Sequence, residues 1–133
     1  QNFLFETGQE TPVTLKRAIQ DIEKAVGKGN VGINLDPANL IMYGKANPVD
    51  ALEVFGEYVM GIHGKDGKYP TDGHHLGDEV PLGQGKVNYS AFIAKLKEIG
   101  YQGDITIERE ISGEEQKKDI RMAKELLDKL IAE

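Results

Sequence analysis

The 133 residues carry 16 Lys and Arg against 22 Asp and Glu, for a net charge of −6, with no cysteine and 16 glycines. That balance argues against a nucleic-acid binder held through a basic phosphate-contacting surface, and the missing thiols exclude disulfides, a thiolate nucleophile and cysteine-ligated zinc. No apolar run approaches the ~20 residues of a membrane span, so the expectation is a cytoplasmic globular unit over residues 1–133 with no membrane partner.

The chain enters at once into an apolar run, Phe3-Leu4-Phe5-Glu6-Thr7, which predicts a buried strand ending in polar residues. Thr11 and Pro12 supply an N-cap and a first helical position. Leu15, Ile19, Ile22 and Val26 then lie on one helical face, stopped by Gly27 and Gly29. The next strand is Val31–Asp36, followed by Pro37-Ala38-Asn39. Asn47-Pro48 caps a second helix with Ala51, Leu52, Phe55 and Tyr58 on its inner face. A third strand, Val59–His63, leads into a long polar loop over 64–86. Asn88 or Ser90 starts a helix carrying Phe92, Leu96 and Ile99, ended by Gly100. A fourth strand spans Asp104–Glu108, and Ser112 with Glu115 forms a capping box for the last helix, whose apolar stripe is Ile120, Ala123, Leu127, Leu130 and Ile131. Strand and helix alternate four times, and the strands are nearly continuous in apolar residues, the pattern of a parallel α/β sheet.

Each strand ends in a residue able to bind a divalent cation: Glu6, Asp36, His63 and Glu108. Singly, an aspartate at a strand end is a turn former or helix cap, and a histidine is a hydrogen-bonded structural residue. All four together, at the strand ends where parallel α/β proteins place their sites, predict a centre for Mn²⁺, Mg²⁺, Co²⁺ or Zn²⁺. Other polar features have plainer readings. His74 and His75 form a solvated loop pair, and Gly83-Gln84-Gly85 is a backbone bend too short for a dinucleotide fingerprint. Gly32 is a packing glycine. Strand alternation turns Arg109 away from Glu108, and Glu110 belongs to the loop.

Five segments in order carry a family resemblance: Phe5-Glu6-Thr7-Gly8-Gln9-Glu10-Thr11-Pro12, Asn34-Leu35-Asp36-Pro37-Ala38-Asn39, Ile62-His63-Gly64-Lys65-Asp66, Glu79-Val80-Pro81-Leu82-Gly83-Gln84-Gly85 and Ile107-Glu108-Arg109-Glu110. Together they resemble the sugar phosphate isomerase/epimerase group, the xylose-isomerase-like (β/α)8 TIM barrels. The resemblance covers nearly the whole chain. It implies Glu6, Asp36, His63 and Glu108 as the metal set, with Glu6 and Glu108 also acting as base and acid on opposite faces of a sugar. It further implies substrate contacts from Glu10, Asn39 and Lys65. Asn39 stands where a histidine is frequent, so it can hydrogen-bond a hydroxyl but cannot shuttle protons at neutral pH, which counts against an endonuclease.

The function implied is a metal-dependent isomerase or epimerase of a sugar or sugar phosphate, working by proton transfer through an enediolate that the cation stabilises. An inosose-dehydratase-like lyase uses the same site, and a half-barrel that only binds metal is the non-enzymatic alternative. A complete barrel takes ~250 residues. Four βα units are therefore expected to be its C-terminal half, partnered by a second copy in a homodimer or by an N-terminal half-barrel.

Overall fold

The computed structural model describes all 133 residues. In chain order the elements are β1 (Phe3–Glu6), α1 (Pro12–Val26), β2 (Val31–Leu35), α2 (Pro37–Met42), α3 (Pro48–Phe55), β3 (Val59–Gly64), β4 (Asp66–Gly67), β5 (Glu79–Val80), α4 (Tyr89–Glu98), β6 (Ile105–Ile107) and α5 (Gly113–Ala132). A single 3-10 turn, Gly56–Tyr58, joins α3 to β3. Strands β1, β2, β3 and β6 form one sheet in that order, and every neighbouring pair is parallel.

The helices start where local chemistry directs. Thr11 Oγ1 accepts from the Thr14 amide at 3.4 Å, Asn47 Oδ1 from Val49 at 2.9 Å and Asn88 Oδ1 from Ala91 at 3.1 Å. Each answers an amide that the first helical turn leaves unpaired, and such a cap contributes about 1 kcal/mol. Leu15 and Ile19 of α1, Leu52 and Phe55 of α3, Phe92 and Leu96 of α4, and Ala123 and Leu127 of α5 pack into one core. Ile33, Leu35 and Ile62 join it from the sheet. Residues of the opposite strand parity, among them Asn34, Gly61 and His63, gather on the other face. Period-two alternation thus separates a helix-covered side from a side that carries polar chemistry.

Several local expectations are corrected. Pro37-Ala38-Asn39 belongs to a short helix, α2, whose N-cap is Asp36. The 64–86 loop contains an antiparallel pair, β4 with β5. Tyr58 lies in the 3-10 turn and not on α3. The capping box does not form: Ser112 occupies the N-cap position without a side-chain bond, and Gly113 after it takes φ +84, outside the helical region. Val26 and Ile131, placed on apolar stripes, are exposed in the last turns of their helices.

Between Ile33 and Asn34 the β2–β3 register shifts, leaving Met60 as an extra residue on β3. Met60 packs over Gly32, where a Cβ would stand 2.7 Å from the Met60 sulfur and 2.8 Å from the Tyr58 carbonyl oxygen. Gly32→Ala is accordingly expected to cost about 1–3 kcal/mol in urea unfolding. Adding Met60→Ala should restore little of it, since the carbonyl belongs to the main chain. Full recovery in the double variant would show that the sulfur alone is the obstacle.

Candidate metal centre

The four strand-end residues converge: one ligand atom from each of Glu6, Asp36, His63 and Glu108 lies within 4.8 Å of all the others. His63 Nδ1 is 3.2 Å from Glu6 Oε1, 3.2 Å from Glu108 Oε2 and 3.7 Å from Asp36 Oδ2. None of these approaches has hydrogen-bond alignment. Asp36 is fully buried; its Oδ1 accepts from the Asn39 amide at 2.9 Å as the cap of α2, while Oδ2 and His63 Nδ1 are buried with no hydrogen-bond partner. Burial pushes the Asp36 carboxyl up to about 6, against the opposing pull of the Asn39 amide and the charges of Lys65 and His63. The Lys65 ammonium lies 3.6 Å from Oδ2 but makes no hydrogen bond to it, and a buried acceptor without one is costly. A divalent cation meeting that oxygen, the imidazole nitrogen and two further carboxylates relieves it, so the donor set fits a hard or borderline metal.

The ligands are held from behind. The Thr7 hydroxyl donates to the Asp36 carbonyl and accepts from the Asp36 amide, both at 2.8 Å, tying the end of β1 to the end of β2. The Asn34 amide lies 3.0 Å from His63 Nε2. Were a metal to take Nδ1, Nε2 would carry the ring proton, and the Asn34 amide, flipped, would accept it through its oxygen. In the turn after β6, Arg109 points away from the centre and binds Glu79 at 3.0 Å and Asp119 at 2.8 Å. Glu79 also accepts from the Glu110 amide at 3.0 Å, so β5 and α5 together fix the turn that carries Glu108.

Lys65 is no solvated loop residue. Its side chain is 3% exposed, and Nζ lies 3.1 Å from Glu108, 3.1 Å from Glu110 and 3.6 Å from Asp36. Burial alone would lower its pKa, but the charge of Asp36 and the hydrogen bonds to Glu110 and Glu108 outweigh it and hold the ammonium above the ordinary lysine range. The Lys65 backbone is clamped by Tyr89, whose hydroxyl accepts from its amide at 3.0 Å and donates to its carbonyl at 2.6 Å. Next to it, the buried Asp66 carboxylate accepts from the backbone amides of Gly67, Gly83, Gly85 and Val87 at 2.8–3.1 Å. Gly83 takes φ +90, and a Cβ at Gly85 would lie 2.0 Å from Asp66 Oδ1, so the Gly83-Gln84-Gly85 bend is a cradle for this carboxylate.

Glu6, Glu10, Asn39, Lys65 and Glu108, all singled out from the sequence, line one open cleft of about 630 Å³ together with Glu110. Asn39 spends one amide N–H on the Thr7 carbonyl at 3.0 Å. His74 and His75 stand outside the metal cluster on the exposed loop, where both amides and the His75 ring bond Asp72. Sequence inspection missed Thr7, Asn34, Asp66, Glu79 and Tyr89. All but Tyr89 lie in the segments that carry the resemblance, and Asn34 also stands two positions before Asp36, on the same side of the chain at the end of β2.

Parallel βα units with a carboxylate–imidazole cluster at the strand ends define an α/β fold whose candidate metal site lies where βα barrels carry theirs. Residues 2–130 match the model of the xylose isomerase-like TIM barrel family, and the chain belongs to that family. A xylose isomerase domain protein from Planctomyces limnophilus shares 46% identity at a TM-score of 0.89, over 98% of this chain and 46% of its own. A D-tagatose 3-epimerase-like protein shares 26% identity at a TM-score of 0.71, over 98% of this chain and 47% of its own. An uncharacterized protein of Methanocaldococcus jannaschii is 32% identical over 99 residues, 74% of this chain and 31% of its own. The chain thus spans just under half the length of those solved structures and about a third of the curated relative.

Asp66→Asn replaces one acceptor oxygen by an NH₂ that faces the backbone amides. It is expected to cost about 2–3 kcal/mol in thermal or urea unfolding and to speed hydrogen exchange at the Gly83, Gly85 and Val87 amides. Unchanged protection at those three amides would count against the cradle.

Proposed function

We propose that the chain is the metal-holding, proton-transferring half of a divalent-metal-dependent sugar isomerase or epimerase. Its four βα units form the C-terminal half of a (β/α)8 barrel, closed by an N-terminal half-barrel or by a second copy. The observation that carries this reading is the buried pair of unanswered atoms, Asp36 Oδ2 and His63 Nδ1, inside a cluster of three carboxylates at the strand ends. The likeness to a D-tagatose 3-epimerase-like protein supports the epimerase branch. A bound Mn²⁺, Mg²⁺, Co²⁺ or Zn²⁺ ion would polarise the sugar carbonyl and acidify the adjacent C–H.

Glu6 and Glu108 stand at the ends of the two outer strands of the sheet, each 3.2 Å from His63 Nδ1. A sugar carbon held between them can lose its proton to one carboxylate and regain one, on the opposite face, from the other in its protonated form. Lys65 fixes the Glu108 side chain by a hydrogen bond of 3.1 Å. Asn39 and Glu10, on the same cleft wall, are placed to bind substrate hydroxyls.

In the full-length protein, Glu108→Gln should lower turnover of a ketose by about 10²–10⁴-fold and weaken metal binding in calorimetry. His63→Gln should abolish tight metal binding altogether. Exchange of solvent deuterium into the substrate carbon identifies the proton transfer, and a dehydrated product would assign the lyase reaction instead. Full activity of Glu108→Gln would falsify the assignment.

A further inference from the structure

We infer that this half of the cleft takes an uncharged sugar and disfavours a phosphorylated or carboxylated one. The inference rests on the sugar reading above and concerns which sugars the same site admits.

Charge decides it. The charged residues on the cleft wall are Glu6, Glu10, Glu108 and Glu110 against Lys65 alone. Lys65 is the one cation there that a phosphate would need, and it is already spent. Nζ donates to Glu108 at 3.1 Å and is ion-paired with Glu110 at 3.1 Å and with Asp36 at 3.6 Å. Its side chain is 3% exposed and its charge is balanced by these carboxylates, so it offers an incoming anion no unpaired positive group. A divalent cation in the cluster does not reverse the sign. With Asp36 counted, five carboxylates face the two charges of the cation and the one of Lys65. The exposed acids Glu10 and Glu110 add no positive group and repel an incoming anion.

The remaining wall suits a neutral polyol. Carboxylate oxygens of Glu10 and Glu110 accept from hydroxyls. Tyr43, Met42 and Leu76 supply an apolar surface against which the C–H face of a sugar can rest, Leu76 being 56% exposed beside the acids.

The test is calorimetric titration of the full-length, metal-loaded protein with D-fructose and D-tagatose and with the 6-phosphate of each. The free ketoses are expected to bind more tightly than their phosphates by about tenfold or more, a difference of about 1.4 kcal/mol. Glu110→Gln releases one Lys65 donor and removes one negative charge, and should narrow that ratio by about tenfold. Glu10→Gln, on an exposed loop, should shift it in the same direction. Tighter or equal binding of the phosphates to the native protein would overturn the inference and leave the sugar reading standing, as would a ratio unmoved in both variants. Binding of neither form would overturn the sugar reading and the inference with it.

Discussion

The Asp36 carboxylate is the constraint on which the site depends. It is fully buried, and its two oxygens have different tasks. One caps α2 through the Asn39 amide; the other faces the cluster unanswered. A capping bond pins the side chain in one rotamer, so the second oxygen is aimed without further help. The Thr7 hydroxyl, bonded to both the amide and the carbonyl of Asp36, fixes the backbone beneath it. A divalent cation bound at the cluster would offset the cost of burying an acceptor without a hydrogen bond. The same local geometry that starts a helix therefore also directs a ligand.

Around that point, charge is arranged in a buried network in place of isolated surface pairs. Lys65 bridges Asp36, Glu108 and Glu110, linking the end of β2 to the turn after β6. Its neighbour Asp66 gathers four backbone amides, and Tyr89 brackets the peptide between them. Breaking one member of such a network would leave its partners buried and unpaired, which costs more than the network contributes as a whole. The two-stranded β4–β5 hairpin follows the same logic. Glu79 on β5 holds both Arg109 and the Glu110 amide, so the long loop after β3 positions a carboxylate on β6.

What could be read in advance was local or periodic. The caps at Thr11, Asn47 and Asn88 form because each satisfies an amide two or three residues away. The apolar stripes found the core because a 3.6-residue period puts Leu15 and Ile19, or Ala123 and Leu127, on one side. Helix α2 escaped notice because six residues give no period to see. Ser112 misled because the capping pattern is blind to the turn at Gly113. The Asp66 cradle was invisible for a different reason: its amides lie up to 21 residues along the chain, and no spacing rule connects them.

The sequence by itself determined the four strand–helix alternations and the placing of Glu6, Asp36, His63 and Glu108 at the strand ends, because hydrophobic period and chain order are properties of neighbours along the chain. That these four side chains meet within 4.8 Å, that Asp36 Oδ2 and His63 Nδ1 have no hydrogen-bond partner, and that Lys65 is ion-paired with three carboxylates came only with the folded arrangement. Those outcomes depend on strand register and on which groups lose water together. The net charge of −6, which first spoke against a nucleic-acid-binding surface, acquires a location there: four of the acids line one cleft with Asp36 buried behind them, and its single lysine is ion-paired.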